Sequence, residues 1–193
     1  MNRKEATNLL TKILISDKLS DRKYYAKEVC IDYGTSDVKR VDVMQFLPAG
    51  VVHLSDIEKG IFICYEIKSC RQDIYSGNGL NFLGERNYIV TTMETYKKIM
   101  EDSRNGVLDK YISEHYPESS LNFGFLVPVP CHIDLRNTSD IYKEFENPTP
   151  FGGDPDDWKL WSAIQCKEGS RMRSTTELLF CMLRAKHSNG VED

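Results

Sequence analysis

Eight consecutive residues, Ile61-Phe62-Ile63-Cys64-Tyr65-Glu66-Ile67-Lys68, constrain this chain more tightly than any other stretch. Their short apolar run and their β-branched and aromatic content predict a strand. Residues two apart on a strand project to the same side, so Glu66 and Lys68 point together while Tyr65 and Ile67 face the other way. A second apolar stretch, Val41-Asp42-Val43-Met44-Gln45-Phe46, holds another carboxylate among residues that would otherwise be core. Charge in such a place is costly unless it is paired or bound to a metal.

The flanking pattern builds an α/β domain around these two strands. Residues 3–16 carry Ala6, Leu9, Leu10, Ile13 and Leu14 at helical spacing. Residues 21–23 predict a polar turn, 24–33 a strand, 34–37 a turn and 39–47 a second strand. A loop over 48–60 leads to the strand at 61–68, and three strands joined in this way favour an antiparallel meander. Beyond it, 69–75 starts a short helix that Gly77 and Gly79 interrupt. Residues 87–92 predict a strand, 93–100 and 106–115 helices, and 124–129 a further strand. Pro128 and Pro130 argue that this last strand lies at an edge or ends early. Residues 147–157 predict an exposed loop, and 174–186 a closing helix with Leu178, Leu179, Met182 and Leu183 on one side. The expected architecture is an α/β sandwich with a central mixed β-sheet flanked by helices. At 193 residues the chain suits a single domain. Its core is expected over about residues 1–130, with a C-terminal loop and helix over 131–193.

Composition narrows the function classes. Hydrophobic residues at 40% and charged residues at 28% fit an ordinary soluble globular protein. No apolar run approaches the roughly 18 residues of a membrane span, and no signal-peptide core is visible, so the expected address is the cytoplasm. Six cysteines lie far apart with no Cys-x-x-Cys pair, which favours reduced thiols and gives a zinc site little support. His53, His115, His132 and His187 are scattered without ligand spacing. Gly152-Gly153 lacks the lysine and hydroxyl of a phosphate-binding loop. The formal net charge of −4 runs against strong non-specific affinity for long duplex DNA, which a basic face would attract. Asp154, Asp156, Asp157 and Glu192-Asp193 would leave room for such a face if they lie on another side.

Two acids and a lysine meeting at strand ends suit phosphodiester hydrolysis. That reaction needs an attacking water, a path for its proton and neutralisation of charge on the phosphate, several of which a hard divalent cation supplies. Magnesium prefers oxygen ligands and keeps waters. Asp42 and Glu66 are the carboxylates best placed to hold it, with the main-chain carbonyl of Ile67 between Glu66 and Lys68 as a further ligand. Lys68 would position the water or stabilise developing charge. Spacing alone is a weak signal, since Glu-x-Lys arises about once by chance in a chain of this length. The bland alternative is a salt bridge from Lys68 to Asp42 or Glu66 on a solvated sheet face.

From Glu28 through Arg40-Val41-Asp42-Val43 and Tyr65-Glu66-Ile67-Lys68-Ser69 to Asp73, the chain resembles the PD-(D/E)XK nuclease superfamily, with its nearest likeness to the MmcB-like DNA-repair nucleases. The likeness covers about residues 24–100. It implies a restriction-endonuclease-like fold, a magnesium or manganese cofactor, DNA as partner, catalytic roles for Asp42, Glu66 and Lys68, and an accessory role for Glu28. Gly77-Asn78-Gly79-Leu80-Asn81-Phe82 stands where that family has a lysine-tryptophan stretch.

Other residues carry two readings each. Glu28 is otherwise an ordinary strand carboxylate. Gln72 sits one helical turn past Lys68 and would line the site or a solvated helix face. Arg40 would contact phosphate or pair with Asp42. Arg71, Arg86, Lys97 and Lys98 form a candidate basic rim, and Lys167, Arg171 and Arg173 the one clear basic cluster, unless all simply solubilise the surface. Tyr24, Tyr25, Trp158 and Trp161 read as packing residues. The leading expectation is a metal-dependent DNA endonuclease or exonuclease of DNA repair, restriction or phage and mobile-element DNA metabolism, with a homodimer as a candidate assembly. The alternatives are a non-catalytic nucleic-acid-binding or regulatory protein on the same fold, and a protein-interaction component of a mobile-element system.

Overall fold

Six strands lie side by side in chain order, and the sheet changes character part-way across. The computed structural model describes residues 1–20, 24–51, 53–77, 79–116 and 123–188. The turn expected at 21–23 and the acidic pair Glu192-Asp193 lie outside the described residues. Strands β1 (Tyr25–Ile31), β2 (Lys39–Leu47) and β3 (Ile61–Lys68) form the expected antiparallel meander. Strands β4 (Arg86–Thr91) and β5 (Phe123–Pro130) continue parallel to β3, and β6 (Trp158–Ile164) closes antiparallel to β5. Helices cover both faces, so the chain is an α/β sandwich with a mixed sheet.

One face is covered by α1 (Arg3–Leu14). It starts where Asn2 and Glu5 cap each other: the Glu5 N–H donates to Asn2 Oδ1 at 2.9 Å, and the Asn2 N–H donates to Glu5 Oε2 at 2.8 Å. Leu9, Leu10, Ile13 and Leu14 pack on Val43, Ile63, Tyr65, Ile67, Val90 and Leu126. A π-helical turn, Ile15–Leu19, follows, and Asp17 Oδ2 accepts the Leu160 N–H at 3.1 Å. The first helix is thereby tied to the far edge of the sheet.

The opposite face is divided. Helix α7 (Thr175–Ser188) sets Leu178, Cys181 and Met182 over Ala26, Met44, Phe46, Phe62 and Cys64. Helices α4 (Met93–Arg104) and α5 (Val107–His115) set Met93, Tyr96, Ile99 and Leu108 over Ile89, Phe125, Val127 and Val129. Glu66 and Lys68 continue the Phe62–Cys64 row toward the gap between these two apolar clusters.

Several elements differ from the sequence expectation. Strand β5 is not a sheet edge, since β6 lies beyond it. Its prolines are tolerated because the ladder to β4 ends at Leu126, whereas Pro128 and Pro130 pair only with β6. The Cys131 N–H donates to Asp157 O at 2.9 Å, so odd-numbered residues here donate toward β6. The prolines fall at the positions whose missing N–H would point away. A short helix, α2 (Leu54–Glu58), interrupts the loop expected over 48–60, and α6 (Thr138–Glu146) was not expected because Ile141 is its one buried apolar residue. Residues after 130, expected as a loop and helix outside the core, supply the sixth strand and a core helix.

Arg171, expected as a nucleic-acid contact, instead serves the fold. Its Nη1 donates to Glu85 Oε1 at 2.6 Å and to Gly60 O at 2.9 Å, while Glu85 Oε2 accepts the Phe62 N–H at 2.8 Å. This buried junction holds the start of β3, the end remote from Lys68. Glu85→Ala would strand a guanidinium and a buried N–H together. Its urea midpoint is expected to fall by an amount equivalent to roughly 2–4 kcal/mol, with an unchanged denaturant slope.

Candidate functional site

Strands β2 and β3 pair as far as Val43 and Tyr65, and there the ladder stops. Asp42 and Glu66 stand one step further on. Asp42 Oδ2 accepts the Ile67 N–H at 2.7 Å, so a side-chain carboxylate satisfies a donor that the neighbouring main chain no longer reaches. Asn81 enters the same opening. Its Nδ2 donates to Arg40 O at 2.7 Å and, at 3.4 Å, to Glu66 Oε1.

Glu66 and Lys68 are recessed, at 2% and 7% exposure, which excludes a salt bridge on a solvated sheet face. Burial holds the Glu66 carboxyl well above the usual carboxylate range, and the nearby Asp42 charge raises it further. Lys68 and the hydrogen bonds from Asn81 act in the opposite direction. Among the described residues, Glu66 Oε2 has no hydrogen-bond partner. Gly79, at φ +75°, closes over both groups, for a Cβ there would lie 2.8 Å from Lys68 Nζ and 3.1 Å from Glu66 Oε2. A side chain at this position would press directly on the amine and the acid.

Asp42 and Lys68 lie in a cavity of about 1020 Å³. Lys39, Arg40 and Arg173 also line it, as do Gly77, Gly79, Asn81, His115 and Tyr116. Burial pushes the Tyr116 hydroxyl up to about 12, helped by neighbouring Tyr111 and by the Glu66 charge. No group of three or more histidines, cysteines and carboxylates suited to a metal occurs among the described residues. A cation here would therefore rest on Asp42, Glu66 and the Ile67 carbonyl, with water completing the shell. These hard oxygens suit magnesium, and a buried carboxylate oxygen with no hydrogen-bond partner among the described residues fits such a ligand.

The other sequence candidates divide by location. Glu28 takes a left-handed backbone, φ +54°, which breaks the strand alternation so that Ala26 and Val29 both join the core beneath α7. Its carboxylate pairs with Arg40 Nε at 2.9 Å, so Arg40 serves Glu28 and not Asp42. Arg173 lines the cavity and pairs with Asp32 at 2.5 Å. Gln72 and Arg71, expected at the site, instead line a separate cavity with Thr92, Lys98 and Phe151, because the helix α3 (Arg71–Ile74) turns away after Cys70. Arg71 is clamped on Asp102 at 2.6 and 2.9 Å. Of the expected rim, Arg86 pairs with Glu168 at 2.9 Å and Lys97 donates to Glu146 O at 2.9 Å. Asn81, Gly79, His115 and Tyr116 were missed; the glycine- and asparagine-rich stretch after Lys68 was the available signal for the first two. Trp158 packs in the core and donates Nε1–H to Gly152 O at 2.7 Å, and Trp161 packs edge-on against Tyr96.

No protein-family model matches the chain, and no curated protein or solved structure matches it either. Among the described residues, no helix is long and apolar enough to cross a membrane.

In metal-free protein the folded state holds the Glu66 proton more tightly than the unfolded chain does. The stability contributed here is full below the ordinary carboxylate range and is lost as pH rises above it. Glu66→Gln is therefore expected to raise Tm at neutral pH, by about 2–4 °C for each kcal/mol relieved, and to flatten the loss of stability between acid and neutral pH. Calorimetric scans across that range check it, and a Tm that falls at neutral pH would contradict this reading of Glu66.

Proposed function

We propose that the protein is a metal-dependent deoxyribonuclease on a restriction-endonuclease-like scaffold. The observation that carries this reading is the meeting of Asp42, Glu66 and Lys68 where β2 and β3 part, with one oxygen of the buried Glu66 lacking a hydrogen-bond partner among the described residues. Asp42, Glu66 and the Ile67 carbonyl would hold magnesium or manganese. When bound, the ion supplies charge neutralisation and activation of water. Asn81 engages Glu66 through Oε1 at 3.4 Å and leaves the other oxygen, near Gly79, without a hydrogen-bond partner among the described residues. The Ile67 N–H fixes the Asp42 carboxylate in the same way. The Lys68 ammonium donates to the attacking water and stands beside the charge that builds on the phosphoryl oxygens. Burial strengthens that interaction, because little water competes for the ammonium.

A second reading, a non-catalytic nucleic-acid-binding or regulatory protein on the same scaffold, draws support from the lack, among the described residues, of a group of three or more histidines, cysteines and carboxylates suited to a metal. Metal binding separates the two. Under the nuclease reading, magnesium at 100 times its dissociation constant stabilises the protein by about 2.7 kcal/mol, and Asp42→Asn removes that gain. Magnesium uptake should also release protons from Glu66, seen as a dependence of the calorimetric heat on buffer ionisation enthalpy.

Cleavage of labelled single-stranded, duplex and branched DNA with magnesium is the direct test. Lys68→Ala and Asp42→Asn are expected to lower kcat/KM by about 100-fold or more while circular dichroism shows the fold retained. Cleavage indifferent to chelator and to the loss of Lys68 would sink the nuclease reading.

A further inference from the structure

We propose that the site takes its DNA as a single strand, with bases stacked on the wall of the cavity formed by His115 and Tyr116. This rests on the nuclease reading and names the form of its substrate. Depth gives the first reason. Lys68, at 7% exposure, lines a cavity of about 1020 Å³, and Glu66, at 2%, is buried on the same side of the strand. That volume is at the upper end of pockets that hold small ligands. A stacked duplex cannot carry its backbone so far in without unpairing, whereas a single strand bends to reach.

Charge gives the second. Duplex affinity grows with the number of phosphates neutralised. Here the two guanidinium groups lining the cavity are engaged by carboxylates, Arg40 with Glu28 at 2.9 Å and Arg173 with Asp32 at 2.5 Å, and the chain carries a net charge of −4. Binding of single strands adds base stacking on aromatic faces to the phosphate contacts, and each phosphate neutralised contributes less counterion release than on a duplex.

The wall itself gives the third. The His115 ring stacks on Tyr111 with centroids 4.3 Å apart and planes at 27°. Its Nδ1 lies 3.0 Å from Tyr111 O, so an N–H on that nitrogen donates to the carbonyl. Both contacts set the plane of the imidazole while the residue stays exposed. Tyr116 lies 6.5 Å from His115 and is braced edge-on by Phe82 at 6.2 Å. A platform ordered in advance loses little entropy when a base lands on it.

Fluorescence anisotropy on the full chain in chelator tests this without cleavage. The probes are a fluorescein-labelled twelve-nucleotide strand and the same strand annealed to its complement. The single strand is expected to bind at least about 10-fold more tightly than the duplex. His115→Ala, a change at an exposed residue, should weaken it by about 5- to 100-fold with little effect on the duplex, and His115→Phe should restore it. Equal binding of both probes, or a single-strand affinity unmoved by His115→Ala, would overturn the proposal. Magnesium-dependent cleavage in the same preparations keeps the two ideas apart. Cleavage with no single-strand preference refutes only the single-strand form, and single-strand preference with no cleavage refutes only the nuclease reading.

Discussion

The Ile67 N–H donates to Asp42 at 2.7 Å, and the end of the sheet is built around that bond. Had the ladder continued past Val43 and Tyr65, main chain would have met main chain and closed the space. With the carboxylate as acceptor, the strands diverge without orphaning a buried donor. Asn81 then fills the opening with an amide that reaches Arg40 O on one strand and Glu66 on the next. Glu66 is left deep, beside a lysine and under a glycine, in a setting of low polarity where ionising it is expensive.

That expense is confined to one half of one face. Beneath α1 the sheet face from Val43 to Leu160 is built largely of apolar side chains, and the buried Gln45 is satisfied there by accepting the Tyr65 hydroxyl at 3.0 Å. On the other side, α7 and the α4–α5 pair cover separate clusters, and the polar groups stand where those coverings leave room. A fold can carry a strained acid when the remaining layers supply enough burial to offset it. The arginines follow the same economy of place. Arg171 secures the beginning of β3, Arg71 clamps α3 to α4, and Arg173 joins the segment before α7 to Asp32.

Much of the fold was legible because it rests on local periodicity. The spacing of Leu9, Leu10, Ile13 and Leu14 marks one helix face, and the alternation from Ile61 to Lys68 marks both faces of a strand. Where the local signal was thin, the reading failed. Strand β6 has only Trp158 and Leu160 fully buried, and α6 has a single buried apolar residue, so neither announces itself. The prolines of β5 misled because the rule against them concerns donors on a paired side, and which side is paired depends on where β4 ends. Gln72 was misplaced by counting a helical turn from Lys68 across Ser69 and Cys70, which are not helical.

Local periodicity already places Glu66 and Lys68 on one side of a strand, and Asp42 among the apolar positions of the strand before it. Both follow from the two-residue repeat of extended chain, a property of backbone geometry that any environment preserves. The depth of those groups, the end of the ladder beside them, and the closing-in of Asn81, Gly79, His115 and Tyr116 come from packing in three dimensions. Those features arise from contacts between segments remote along the chain, and the periodicity of a single segment carries no record of what packs against it.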